Sequence, residues 1–227
     1  MLKCDLRKED IGHLHGSTGG RILAEQFHLH ISEGILSGPV LLSGAALAAV
    51  GTGIGLKSLD YDRIARAGIL AASFFVASLI HVPIGPSSVH LLLNGIVGLL
   101  LGWGAVPALL VALLLQGVLF QFGGITTLGV NTVIMAAPAV IAYYLFGPWA
   151  RRPDAIGMAA AFLVGFCSVL LSGVIAAAAL MLTGEGFLEV AGLILAAHIP
   201  VMVIEGIVTL FCVMFLRKVQ PSLLDHR

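Results

Sequence analysis

The chain has 227 residues, of which 59% are hydrophobic and only 11% charged, with 12 basic residues balanced by 12 acidic ones. Soluble domains carry about 25% charged residues, so a water-soluble globular protein is excluded, and a net charge of zero gives no footprint for nucleic acid. One integral membrane domain is expected, because the apolar runs follow one another with short gaps.

Residues 1–27 read as a polar, flexible amino-terminal extension around Gly16, Ser17, Thr18, Gly19 and Gly20. No apolar stretch follows its early basic residues, so it is not a secretory signal. Its His13 and His15 read as solvated tail histidines. Seven apolar runs then approach the roughly 20 residues that a membrane helix needs: 35–56, 64–82, 87–103, 105–122, 128–147, 156–183 and 189–216. The predicted class is therefore all-α, a polytopic membrane protein of about seven transmembrane helices in one bundle. The third and fourth runs are short and separated only by Gly104, as in a tight helical hairpin or a partly re-entrant pair. Gln116 and Gln121 predict that the polar end of the fourth faces protein or water.

Basic residues sort the loops. Lys57 with Arg63, Arg151 with Arg152, and Arg217 with Lys218 mark alternate connections, while the loops near 83–87, 123–127 and 184–188 hold no lysine or arginine. By the positive-inside rule the amino end is outside and the carboxyl end, including a tail at 218–227, is cytoplasmic. Lys3, Arg7, Lys8 and Arg21 in the extension run against this rule; three loops agree with it. The segments "HLHISEG", "HVPIGPSSVH" and "FGGITTLGVNT" then share the outer face. Cys4, Cys167 and Cys212 form no CxxC, and the last two lie in apolar runs as small hydrophobes. Gly34/Gly38, Gly51/Gly55 and Gly98/Gly102 are GxxxG pairs, and Ala45, Ala46, Ala48 and Ala49 crowd the first span; such residues let membrane helices approach closely, within the chain or toward a partner.

Polar residues inside spans are costly and are read as functional. His90 and Asn94, four apart, are expected on one face of the third span. His81 ends the second span, and His28 and His30 precede the first. These imidazoles meet only if the segment before the first span folds back into the bundle; otherwise they are interfacial histidines bonded to backbone. Imidazole suits borderline transition ions, and no carboxylate pair accompanies it as calcium or magnesium would require. Backbone nitrogen near His30 is a further candidate ligand. Glu33, three residues after His30, is read either as a carboxylate orienting an imidazole or as a helix-start anion. His198 and Glu205, seven apart around Pro200, are read as a buried pair or as a bond to a neighbouring helix. No nucleotide-binding loop, HExxH or GxSxG occurs, so the chain does not hydrolyse ATP itself.

Four stretches, "LHISEGILS", "SSVHLLLNGIVGLLLG", "LLLQGVLFQFGGITTLGVNT" and "AHIPVMVIEGIVTLFCVMFL", resemble the CbiM/NikM family, the substrate-capture membrane subunits of cobalt and nickel energy-coupling factor transporters. The resemblance covers about residues 28–217, taken as one membrane domain, and Gly123–Asn131 is its most specific part. It implies a seven-helix bundle whose amino terminus tucks inward and binds a divalent ion in a near-planar all-nitrogen site. The implied ligands are a terminal amine, a backbone nitrogen and two imidazoles, here His30 and His90. In that family the block begins at the initiating methionine; here Leu29 stands in its place, with 28 residues before it. Either proteolysis exposes an amine near His28 or Leu29, or the His28 side chain supplies the nitrogen. The histidine segment also lacks the Pro-Thr-Gly that often follows in the family.

The expected site thus comprises His30, His90 and His28 around Co²⁺ or Ni²⁺ as transported substrate, supported by Glu33, Asn94, His81 and Asn131, with no organic cofactor. Implied partners are a transmembrane coupling subunit, cytoplasmic ATPase subunits, a candidate small accessory membrane subunit and the lipid bilayer of the bacterial plasma membrane. A rival expectation is an intramembrane metal enzyme using Glu205 as base, which predicts Glu205 near His90; the orientation above predicts it far away. A channel or scaffold subunit is the third reading.

Overall fold

The computed structural model describes residues 31–84, 87–184 and 188–224. Seven α-helices occur among them, named here in chain order. α1 is Gly38–Lys57, with proline in its first turn, where the missing N–H would have had no helical partner. α2, Tyr61–Ala77, starts at Asp60, whose carboxylate accepts from Arg63 N at 2.9 Å. A two-stranded antiparallel ribbon follows, β1 (His81–Ile84) against β2 (Ser87–His90), with His81 opposite His90. Then come α3 (Asn94–Leu101), a 3-10 turn (Gly102–Gly104), α4 (Ala105–Phe120), α5 (Leu128–Ala150), α6 (Ala155–Met181), α7 (Leu188–Val219) and a closing 3-10 turn at Pro221–Leu223. Apart from the ribbon, the regular elements among the described residues are helical.

Among the described residues, five stretches are long and apolar enough to cross a membrane: Gly38–Lys57, Asn94–Phe120, Leu128–Ala150, Ala155–Met181 and His198–Val219. The second does not run straight. Gly102 has φ +57°, a conformation open to glycine, and it turns the chain back. α3 runs alongside α5 in the same direction, since a Cβ at Gly98 would meet Ala139 and one at Gly102 would meet Tyr143. α4 returns beside α2: Gly104 lies against Leu59 at one end, and Gln116 Nε2 donates to Ser78 Oγ at 2.7 Å at the other. The expected span 87–103 is therefore corrected. Its first residues are strand, and α3 with 8 residues rises only about 12 Å, against about 30 Å of hydrocarbon. The break falls at Gly102, not Gly104.

The basic loops gather at one end of the bundle. Arg217 Nη2 donates to Ala150 O at 2.6 Å, tying the end of α7 to the α5–α6 turn. The α3–α4 turn lies there too, where Trp103 Nε1 donates to Tyr144 OH at 3.1 Å and Gly55 meets Trp103. Large apolar residues of α1 face outward, Leu42 at 74% and Val50 at 63% exposure, as a lipid-facing helix requires. The inner surfaces are lined by small residues. Gly165 of α6 leaves no room for a Cβ against Glu205 O and Thr209 Oγ1 of α7, and Gly44 and Gly129 bring α1 onto α5. Close approach through glycine replaces the hydrophobic drive that lipid does not supply. Gly51/Gly55 and Gly98/Gly102 both pack within the chain, whereas Gly34 and Gly38 face open space.

Candidate functional site

At the end of the bundle opposite the basic loops, the chain ahead of α1 lies on the loop between α4 and α5. The contact is made by polar groups. Asn131, on the first turn of α5 and 2% exposed, reads both sides of one residue's backbone: Ile31 N donates to Asn131 Oδ1 at 2.9 Å, and Asn131 Nδ2 donates to Ile31 O at 3.1 Å. Its amide is aimed by Thr127 Oγ1, which accepts from Nδ2 at 3.3 Å and donates to Gly124 O at 3.3 Å. An asparagine amide carries a donor and an acceptor, so it pairs with a peptide unit much as a neighbouring strand would. Ile31 is 5% exposed and Leu36 8%, so the segment is anchored by apolar burial as well.

Glu33 supplies a second tether. Its Oε1 accepts from Thr126 N at 3.2 Å, next to the start of α5, where a negative charge meets the positive end of a helix. Two glycines make this possible. Gly123 has φ +75°, and a Cβ there would stand 2.8 Å from Asn131 Nδ2; a Cβ on Gly124 would overlap Glu33 Cγ. Glu33 is thus an anion at a helix start, but of α5 rather than of α1.

Beyond β2 the chain dives inward. Asn94, which opens α3 with no exposure, donates from Nδ2 to Met135 O at 3.1 Å and to Ser172 Oγ at 3.0 Å. Its Oδ1 is buried without a partner among the described residues. The residue before it, Leu93, has φ +51°, unusual for a side chain of that bulk. Glu205 of α7, fully buried, fastens this turn: its Oε1 accepts from Leu92 N, and Leu93 N donates to Oε1 at 3.0 Å and Oε2 at 3.1 Å.

Several expectations are corrected by this geometry. His90 and Asn94 do not share a helix face, because His90 ends β2 and Asn94 begins α3; the polar Asn94 amide is used to hold α3 inside the bundle. His81 does not end α2, which stops at Ala77, and instead opens β1, with its backbone opposite His90. Glu205 was expected far from His90, yet its carboxylate grips the backbone two and three residues after it. His28 and His30 lie outside the described residues. The grip of Glu205 on the backbone escaped sequence reasoning: a carboxylate within an apolar run signals a role, but not which main-chain groups it meets 112 residues away.

The model of the family described as the cobalt uptake substrate-specific transmembrane region, CbiM, matches residues 30–223. A Haemophilus influenzae protein named "Putative metal transport protein" is 43% identical, over 87% of this chain and 98% of its own. The "Cobalt transport protein CbiM" of Sorangium cellulosum is 31% identical, over 87% of this chain and 95% of its own. The "Fused nickel transport protein NikMN" of Rhodobacter capsulatus is 32% identical over 88% of this chain, which spans 65% of that longer protein. A crystal structure described as that of a transition metal transporter superposes with a TM-score of 0.70 at 25% identity, covering 84% of this chain and 93% of the other.

Proposed function

Because the chain belongs to the CbiM family, whose model spans nearly all of its apolar length, we propose that it is the metal-capturing membrane subunit of an energy-coupling factor transporter, taking up Co²⁺ or Ni²⁺. The observation that carries this reading is the docked segment at Ile31–Leu36. A chain that merely entered the bilayer would not need both polar groups of Ile31 matched by a buried asparagine. In this reading His30 and His90 bind the ion with nitrogen from His28 or from a trimmed amino end. Asn131 and Glu33 hold the arm that bears His30, while Asn94 and His81 set the segment that bears His90. The Ile31 N–H is already given to Asn131, so a backbone nitrogen in the ligand set comes from residue 30 or earlier.

The ion enters from the face bearing the docked arm, with the basic end in the cytoplasm and the amino end outside, as the gathering of Lys57, Arg151 and Arg217 supports. A separate transmembrane coupling subunit and paired ATPases then supply the energy. The intramembrane-enzyme reading is disfavoured, because Glu205, its candidate base, spends its oxygens on main-chain N–H groups. Calorimetric titration of the purified protein with Ni²⁺, Co²⁺ and Zn²⁺ tests the proposal. His30→Ala and His90→Ala should each abolish high-affinity binding; wild-type affinity in both rejects the site. Mass spectrometry of the mature amino end decides between a trimmed terminus and His28.

A further inference from the structure

We propose that Glu205 is a positioning residue for the ion site, acting as an anionic cap, supplied by α7, for a helix that starts inside the membrane. The inference rests on the reading that His90 is a ligand, and it adds the element that fixes where His90 sits in depth.

The need for a cap follows from the topology. A helix leaves its first N–H groups without internal partners. At a water-exposed end solvent satisfies them; within a bilayer each must be met by protein. α3 begins at Asn94 against Met135 and Ser172, which lie within α5 and α6 rather than at their ends. The residue in the capping position, Leu93, has no side chain that accepts, and no capping bond of its own is formed. Glu205 reaches the helix start from across the bundle, accepting from Leu93 N, the first of those groups, and from Leu92 N just ahead of it. The same bonds stabilise the left-handed Leu93 turn that swings the chain from β2 into α3.

The backbone that carries Glu205 is closely packed. Gly165 of α6 lies so close that a Cβ would overlap the Glu205 carbonyl, and Gly206 presses on the Phe162 ring. α6, α7 and the turn after His90 therefore form one rigid unit. His90 is two residues from the anchored Leu92 N–H, so its backbone has little freedom once the carboxylate is engaged. The carboxylate has only acceptors. An amide in its place would turn a donor toward the Leu93 N–H, and the turn would lose one of its two acceptors at nearly constant volume.

The test uses the full chain in detergent, Ni²⁺ as the probe, and the variants Glu205→Gln, His90→Ala and Thr209→Val. Thr209 lies one helical turn beyond Glu205 and is equally buried. Glu205→Gln should weaken Ni²⁺ binding about 10–100-fold, the usual cost of losing an orienting partner. It should also shift the visible absorption of the Ni²⁺ complex and speed amide exchange at residues 91–94 in the metal-free protein. Thr209→Val should match wild type in all three. A purely structural role for Glu205 would lower the melting temperature while leaving the Ni²⁺ spectrum unaltered, and that outcome overturns the proposal. If His90→Ala abolishes binding while Glu205→Gln binds as wild type does, the cap is refuted and the ion site stands. If His90→Ala binds normally, the site itself is refuted. Should Glu205→Gln not fold, wild-type exchange decides: Leu92 and Leu93 amides exchanging at open-chain rates refute the cap, and strong protection supports it.

Discussion

Replacing Asn131 with leucine, of similar size but without hydrogen-bonding groups, isolates the clamp on the arm. In the wild type both polar groups of Ile31 are paired with that one side chain, at 2.9 and 3.1 Å, while Ile31 is 5% and Asn131 2% exposed. The variant leaves an N–H and a C=O with no partner in a place that water does not reach. Each orphaned group costs about 1–3 kcal/mol, so docking loses about 2–6 kcal/mol. At about 1.4 kcal/mol per tenfold, the ratio of docked to undocked arm falls by a factor of about 30 at least. The Thr127 contact, at 3.3 Å, adds little, since that hydroxyl keeps Gly124 O as an acceptor. Two assays read the loss: limited proteolysis, expected to cut the arm faster in proportion to its undocked share, and Ni²⁺ affinity by calorimetry, expected to drop as the docked share falls. Asn131→Asp should fail similarly, because it sets an oxygen against Ile31 O where a donor stood. An Asn131→Leu protein that binds Ni²⁺ normally and keeps its arm protected would refute the reasoning.

Gly124→Ala places a methyl group on Glu33 Cγ, so Ni²⁺ affinity should fall while the melting temperature barely moves; equal affinity would show that Glu33 is not a tether. Gly98→Ala drives a methyl group into the Ala139 backbone, which cannot yield as a side chain can. It should cost about 1–3 kcal/mol in thermal unfolding, whereas Gly51→Ala, 3.3 Å from a Val106 methyl, should be tolerated far better. Asp154 caps α6; the Gly157 N–H, with Arg152 beside it, holds the Asp154 carboxyl below the usual carboxylate range. A depressed value stabilises the fold above the unfolded-state pKa and is lost as pH falls through the folded one. Asp154→Asn should therefore lower the melting temperature at neutral pH, with the gap to wild type closing in acid.

The long helices were readable because length and apolarity suffice: α1, α5, α6 and α7 fall within a few residues of their expected bounds. The stretch 87–103 was not, and the reason is physical. A short apolar run has the same composition whether it is strand, extended chain or buried helix, so Ser87–Leu93 merged with α3 into one apparent span. Local sequence did signal that Asn94 and Glu205 matter, since an amide or carboxylate in an apolar run is expensive, and the resemblance marked Asn131. Their partners, Met135 O, Ile31 and the amides of Leu92 and Leu93, are main-chain groups that every residue carries, and nothing in a side-chain pattern marks which of them will be near. Asn131 entered the candidate site only through resemblance, in the Gly-Gly-Ile-Thr-Thr-Leu-Gly-Val-Asn block.

The Asn131 amide grasps a peptide group, not a side chain. It is indifferent to which amino acid occupies position 31, and by itself would accept a neighbouring residue slid into its place. Registration comes from the carboxylate two positions later, which fits only where a glycine leaves it space. Among the described residues, both devices are built from position 31 onward. Grip and register are thus divided between two side chains, so that how tightly the entering chain is held and which residue is held can be altered separately.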